Sequence, residues 1–144
     1  MKIVLQRVLS ASVSVLEKEV GRIEKGLLVF VGFENFDTKE KIDLMIKKII
    51  NLRIFSDEND KINFSVKDIF GEILCVSQFT LLADTKKGNR PSFLNAGDSK
   101  LSKELFDYFV RKIRNQSGLK VEQGVFGANM KISLTNDGPF TIIL

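Results

Sequence analysis

The chain contains no histidine. Every Ser-His-Asp or Cys-His nucleophile and every histidine-ligated metal is therefore excluded. A single cysteine, Cys75, rules out internal disulfides and Cys-rich zinc sites. It lies within Ile73-Leu74-Cys75-Val76 and reads as a small buried hydrophobe rather than a reactive thiol. No metal ligand set and no cofactor is assigned. No proline-, glycine- or serine-rich linker divides the chain, and no internal repeat is present, so residues 1–144 are expected to form one domain. Apolar runs such as Leu27 to Val31 and the last three residues fall far short of the ~18 residues that a membrane helix needs. Gln6 and Arg7 interrupt the N-terminus before a signal-peptide core could form. The expectation is a soluble, cytoplasmic protein.

Across its 144 residues the hydrophobic share is 44% and the charged share 28%, ordinary globular values. A chain of this length removes roughly 68–70% of its unfolded surface from water, enough for one sizeable core. The formal net charge is +4 and unevenly placed. Between Asp84 and Lys120 nine basic residues face four acidic ones, which leaves the remainder slightly negative. Such a concentration suits a phosphate-contacting surface or a solvated helix face.

Ile3 to Val8 and Ala11 to Val15 alternate in the period of half-buried strands. Val20-Gly21-Arg22-Ile23 reads as a hairpin return, and Leu27 to Val31 as a buried strand. Asp37-Thr38-Lys39-Glu40 supplies a capping-box-like start for a helix with apolar residues Ile42, Met45, Ile46, Ile49 and Ile50. Ile54-Phe55 and Ile73 to Val76 read as strands around a turn-rich Ser56 to Asp60. A second helix starts near Asp98-Ser99, buries Leu101, Leu105, Tyr108 or Phe109, and Ile113, and stops at Gly118. Strands at Leu119 to Gln123, Met130 to Leu134 and Phe140 to Leu144 complete an α/β domain of antiparallel or mixed pairing. Regular βαβ alternation is missing, and Gly124-Val125-Phe126-Gly127 lacks the residues of a triphosphate loop, so a nucleotide-binding doubly wound fold is not expected.

Three segments carry possible chemistry. Ser77-Gln78-Phe79-Thr80-Leu81 leaves a buried strand with two hydroxyls, an amide and a ring, suited either to a polar substrate beside a planar base or to a plain strand end. Thr135 to Thr141 contains Asn136-Asp137-Gly138-Pro139 and reads either as a β-turn or as a place of close ligand approach, where a Gly-Pro bond can adopt the cis form. Lys86-Lys87-Gly88-Asn89-Arg90-Pro91-Ser92-Phe93 joins three cations in an exposed loop of fixed shape, open to phosphate contact or to solvent.

Met1 to Val8, Asn51-Leu52-Arg53-Ile54-Phe55, Ser77 to Leu81, Lys87 to Phe93, Gly124 to Ala128 and Asn136 to Pro139 occur together in the order seen in D-aminoacyl-tRNA deacylases, also called D-tyrosyl-tRNA deacylases. The chain resembles that family over nearly its whole length. The resemblance implies curved, mostly antiparallel sheets approaching a barrel, with two helices packed outside. It further implies a homodimeric enzyme that hydrolyses the ester between a D-amino acid, or mischarged glycine, and the terminal adenosine of tRNA. Neither a membrane nor DNA is an implied partner. Carried over by position, Ser77, Gln78, Phe79 and Thr80 line the site. Gly138 and Pro139 form a cis-peptide chirality filter inserted into the partner subunit's site, with Arg7 and Asn136 supporting it. Lys86, Lys87 and Arg90 are the expected tRNA contacts. Asn89 departs from the family, where arginine is common, and Gly97-Asp98 stands where proline often precedes the second helix.

Without histidine, Thr80 has no base in Ser77 to Leu81 that could activate it. Hydrolysis assisted by the terminal 2′-hydroxyl of the tRNA, with backbone amides near Phe79 and Thr80 holding the oxyanion, is the expected mechanism. The rival readings are a non-enzymatic RNA-binding module that stacks bases on Phe79 or Phe93, and an assembly protein.

Overall fold

The computed structural model describes residues 1–144. The first strand, β1 (Lys2–Val15), is one continuous run where the sequence pattern shows two. β2 (Lys18–Ile23) and β3 (Gly26–Gly32) follow one another along the same edge of β1, both antiparallel to it. The helix α1 (Lys39–Asn51) and a small hairpin, β4 (Phe55–Ser56) with β5 (Ile62–Phe64), then lead to β6 (Glu72–Ser77). β6 pairs parallel to β3, and after α2 (Ser99–Ser117) the short β7 (Val121–Gln123) pairs parallel to β6. Parallel neighbours need a crossover, and the two helices serve as those crossovers. The last strand, β8 (Lys131–Ile143), runs antiparallel along the free side of β1. The sheet is thus mixed and strongly curled: β2, near one edge, meets β6 and β7 at the other, and the barrel is nearly closed.

Alternating side chains serve two cores. Leu27, Val29 and Val31 of β3, with Ile73 and Cys75 of β6, face the helices and meet Ile42, Ile46, Ile49, Phe106, Phe109 and Ile113. Leu28 of β3 with Leu74 and Val76 of β6 point the other way, into the barrel, against Val8, Ala11, Val13 and Ile23. Burial on both faces explains why these strands read as unbroken apolar runs.

Both helices have the expected faces, and α2 stops at Gly118 as expected. Asp98 caps α2 by accepting from Lys100 N–H (2.9 Å) and Leu101 N–H (3.2 Å), and Gly118 closes it at φ +69°. Phe109, not Tyr108, is the fully buried member of its pair. At α1 the cap is Thr38, whose hydroxyl accepts from Lys41 N–H (3.4 Å). Asp37 is engaged elsewhere. Its carboxylate is 1% exposed and takes the Met1 ammonium (2.7 Å), Lys41 Nζ (2.6 Å) and Glu34 N–H (2.7 Å), while Glu34 also pairs with the Met1 ammonium.

The end of the chain differs most from the sequence pattern. The two strands expected at Met130 to Leu134 and Phe140 to Leu144 merge into the single strand Lys131–Ile143, and Thr135 to Thr141 is no turn between strands. Val8 pairs with Asn136 and Gln6 with Thr141, so β8 carries extra residues against β1 at that point. Asp137 to Phe140 bulge out of a continuous ladder, a device that re-aims residues at a sheet edge.

Candidate active site

β6 carries the first expected segment to the rim of a cleft. Gln78 N–H bonds Val31 O (2.8 Å), and the chain then winds into a short 3₁₀ turn, Phe79–Leu82, anchored by buried Leu82. Gly32 makes this approach possible, because a Cβ there would stand 2.7 Å from Gln78 O. The cleft has a volume of about 520 Å³. It is walled by Val31 to Phe33, by Ser77 to Phe79, by Ala96, Gly97, Ser99 and Ser102 around the start of α2, and by Phe126 to Met130 and Ile132. Thr80 is exposed and lies outside this lining, with its hydroxyl accepting from the Gln78 side-chain amide.

No lining residue is Asp, Glu, Lys, Arg, Cys or Tyr. The cleft offers hydroxyls, amides, backbone and the rings of Phe33, Phe79 and Phe126, but no acid or base. Cys75, two residues before Ser77, is fully buried on the helix side, and burial pushes its thiol up to about 12. It is not a nucleophile.

The second expected group forms a separate centre on the β8 bulge. The Gly138-Pro139 peptide bond is cis, and Gly138 has φ +127°. Arg7 is nearly buried beside it, donating from Nε to Asp137 O (3.1 Å) and from Nη1 to Ile54 O (2.6 Å). Its Nε also pairs with the Asp137 carboxylate (3.1 Å), and its guanidinium lies over the Phe140 ring, 4.9 Å from the centroid. Asn136 closes the bulge: its Oδ1 accepts from Phe140 N–H (2.8 Å) and its amide donates to Thr141 Oγ1 (3.1 Å). Gly138, Pro139, Arg7 and Asn136 are not part of the cleft lining of their own chain.

Lys86, Lys87 and Arg90 occupy a third place. Asp84 and Ser92 close a loop by reciprocal backbone bonds (2.8 and 2.9 Å), and all three cations project from its exposed tip.

The chain as a whole matches known proteins. The family described as D-Tyr-tRNA(Tyr) deacylase matches residues 4–144. The chain belongs to this family. Relatives named D-aminoacyl-tRNA deacylase are 54% identical in Flavobacterium psychrophilum, 49% in Flavobacterium johnsoniae and 49% in Thermosipho melanesiensis. Each comparison covers 100% of this chain and 96% of the relative. Among solved structures, one titled "c-Myc DNA Unwinding Element Binding Protein" is 41% identical, with a TM-score of 0.93 over 100% of this chain and 97% of that one. Another, titled as a probable eukaryotic D-amino acid tRNA deacylase, is 20% identical and shows the shared fold, with a TM-score of 0.88 over 99% and 97%.

Several walls of this deacylase-family cleft were not visible as site residues in the sequence. Gly32 comes from the end of β3, and Gly97, Ser99 and Ser102 from the start of α2. Gly97 had a signal: a glycine directly before a capping Asp98. A Cβ on it would stand 2.9 Å from Ser102 Oγ and 3.1 Å from Phe33 O, so the loop packs against β3 only as glycine.

Proposed function

We propose that this chain hydrolyses the ester joining a D-amino acid to the terminal adenosine of tRNA, releasing tRNA and the free D-amino acid. The observation that carries the mechanism is the cleft at Ser77-Gln78-Phe79, which holds polar groups but nothing that titrates. Water must then be placed and activated by the substrate, and the neighbouring 2′-hydroxyl of the terminal ribose is the group at hand. The water oxygen bonds to the ester carbonyl carbon, the bond to the ribose 3′-oxygen breaks, and that oxygen leaves with a proton. The first N–H groups of a helical turn have no partner within it. In the Phe79–Leu82 turn Leu81 N–H is the first to be used, on Gln78 O (3.3 Å), which leaves the N–H groups of Phe79 and Thr80 for the developing oxyanion.

Selection of the D-form is assigned to Gly138 and Pro139. Their position outside their own chain's cleft supports a homodimer in which the bulge of one subunit enters the cleft of its partner. The outer edge of β8, thirteen residues paired only to β1, supports the same assembly. A filter of backbone carbonyls that holds the α-ammonium and crowds an L side chain rejects rather than grips, so it passes many D-amino acids and glycine as well. Such proofreading belongs where translation occurs, in the cytoplasm. No helix is long and apolar enough to cross a membrane.

The test is to follow ester loss from D-tyrosyl-, L-tyrosyl- and glycyl-tRNA. Loss of the D-tyrosyl and glycyl esters with L-tyrosyl-tRNA spared is the expected result. Binding of tRNA without hydrolysis would replace the enzyme by an RNA-binding module.

A further inference from the structure

The Phe79 and Phe93 rings meet edge to face at the rim of the cleft, with centroids 5.1 Å apart and planes at 65°. Both stay in contact with water, at 57% and 37% exposure. Two aromatic residues packed into a core would not be left this way, whereas a T-shaped pair with one free face is a stable platform. Phe79 lines the cleft, and Phe93 starts the segment that reaches Ala96 and Gly97 on the opposite wall, with Phe93 O accepting from Ala96 N–H (3.0 Å). Immediately before Phe93 in the chain lies the closed loop with Lys86, Lys87 and Arg90. The ion pairs of the molecule all lie elsewhere, so these three cations have no carboxylate partner. The loop shape is fixed by the Asp84–Ser92 bonds and by Lys86 N–H on Asp84 Oδ1 (2.9 Å).

Exposed rings beside unpaired cations are the two components of a single-strand binding surface: a flat face for a base, and charge for the phosphates that follow it. Resting on the proposed function, we propose that the Phe79–Phe93 pair stacks the nucleobase preceding the terminal adenosine of the tRNA, while the Lys86, Lys87 and Arg90 loop neutralises the phosphates of that single-stranded end. The occupant is single-stranded because a base already stacked in a duplex presents no face to a ring. The surface is continuous with the cleft, so a chain with its last nucleotide in the cleft leads out over it.

The test uses two esters: D-tyrosyl-adenosine, which lacks the preceding nucleotides, and D-tyrosyl-CCA. Phe93→Leu keeps an apolar side chain against Phe79 but removes the ring face, and Phe93→Trp restores it. Phe93→Leu is expected to raise KM for D-tyrosyl-CCA about ten-fold or more at unchanged kcat, to leave D-tyrosyl-adenosine unaffected, and to be rescued by Phe93→Trp. Replacing Lys86, Lys87 and Arg90 by alanine is expected to flatten the salt dependence of KM for the CCA ester alone. A parallel titration of uncharged, fluorescein-labelled CCA-ended RNA reads the same surface without catalysis. If the wild type binds that RNA through Phe93 but hydrolyses neither ester, the proposed function fails and this surface stands. Equal effects of Phe93→Leu on both esters, no effect on either, or tighter binding of duplex DNA than of the single-stranded RNA would overturn the platform.

Discussion

Arg7 stands so close to Gly138 that a β-carbon on the glycine would lie 3.0 Å from Arg7 Nη2. The guanidinium cannot retreat freely, since it is held by Ile54 O, Asp137 O and the Phe140 ring. Two constraints therefore fall on one residue, because φ +127° is also a region that side chains avoid. Gly138→Ala is expected to displace the bulge and lower D-tyrosyl-tRNA hydrolysis at least ten-fold, with little change in melting temperature at this exposed edge. Arg7→Ala should produce a milder loss. Single-turnover rates alongside thermal melts check both; full activity in Gly138→Ala would detach the bulge from the reaction.

Asp37 is the buried end of an ion network that ties the Met1 ammonium to the start of α1. Burial alone would raise its carboxyl, but hydrogen bonds from Lys41, the Met1 ammonium and Glu34 N–H outweigh this and hold it below the ordinary value of 3.8. A depressed carboxylate contributes its full stability above the unfolded value and loses it as pH falls through the folded one. Lys41 is raised above 10.5, chiefly by its hydrogen bond to Asp37, so its share persists below that value and is lost as pH rises through the folded one. Asp37→Asn should cost on the order of 3 kcal/mol at pH 7, the usual scale for removing one member of a buried pair. The gap between wild type and variant should narrow below about pH 4. Urea melts at pH 7 and pH 3.5 measure it, and a gap that does not change with pH would contradict the network.

Phe70 sits at φ +51° with 86% of its surface exposed. It bears the cost of a left-handed backbone and gains almost no packing in return. Phe70→Gly is expected to stabilise the fold by about 0.5–1 kcal/mol, after allowing for the greater freedom of glycine in the unfolded chain. That amounts to a rise of roughly 2 °C in Tm. A fall in Tm would mean that the ring is packed in solution.

The helices were legible because local signals and burial agree in them. Asp98 and Gly118 bound α2, and the i, i+3, i+4 apolar positions of α1 all reach the core. The β8 bulge was not legible as such: Asn, Asp, Gly and Pro at positions 136 to 139 are the residues of a turn, and only pairing with β1 on both sides turns them into a bulge. Asp37 was misread for a related reason, since a carboxylate before a helix looks like a cap until the Met1 ammonium, 36 positions away, is brought against it. The Ser77 segment was legible as chemistry, but the walls facing it were not, because Ser102 and Ile132 reach the cleft only through the α2 crossover and the curl of the barrel.

The exposed Thr80 hydroxyl and the substrate's 2′-hydroxyl are two candidate participants in the proposed hydrolysis, and their roles can be separated. Thr80 Oγ1 is occupied by the Gln78 amide and has no carboxylate or lysine partner. A hydroxyl so placed accepts a hydrogen bond well but has no route for its own proton, which a nucleophile must lose. Thr80→Ala should therefore retain substantial hydrolysis, with a change of a few-fold from the freed Gln78 amide. Replacing the terminal 2′-hydroxyl by hydrogen removes the substrate's own group beside the ester that can orient water and pass a proton. General acid–base assistance is typically worth ~10²–10⁴-fold, so the 2′-deoxy substrate should be hydrolysed slower by that order. The comparison is best made in single turnover at saturating enzyme, with binding of both tRNAs measured separately so that loss of affinity is not read as loss of chemistry. Mass spectrometry on a quenched reaction adds an independent readout, since an acyl group covalently attached to Thr80 would reverse the assignment and make the threonine the nucleophile.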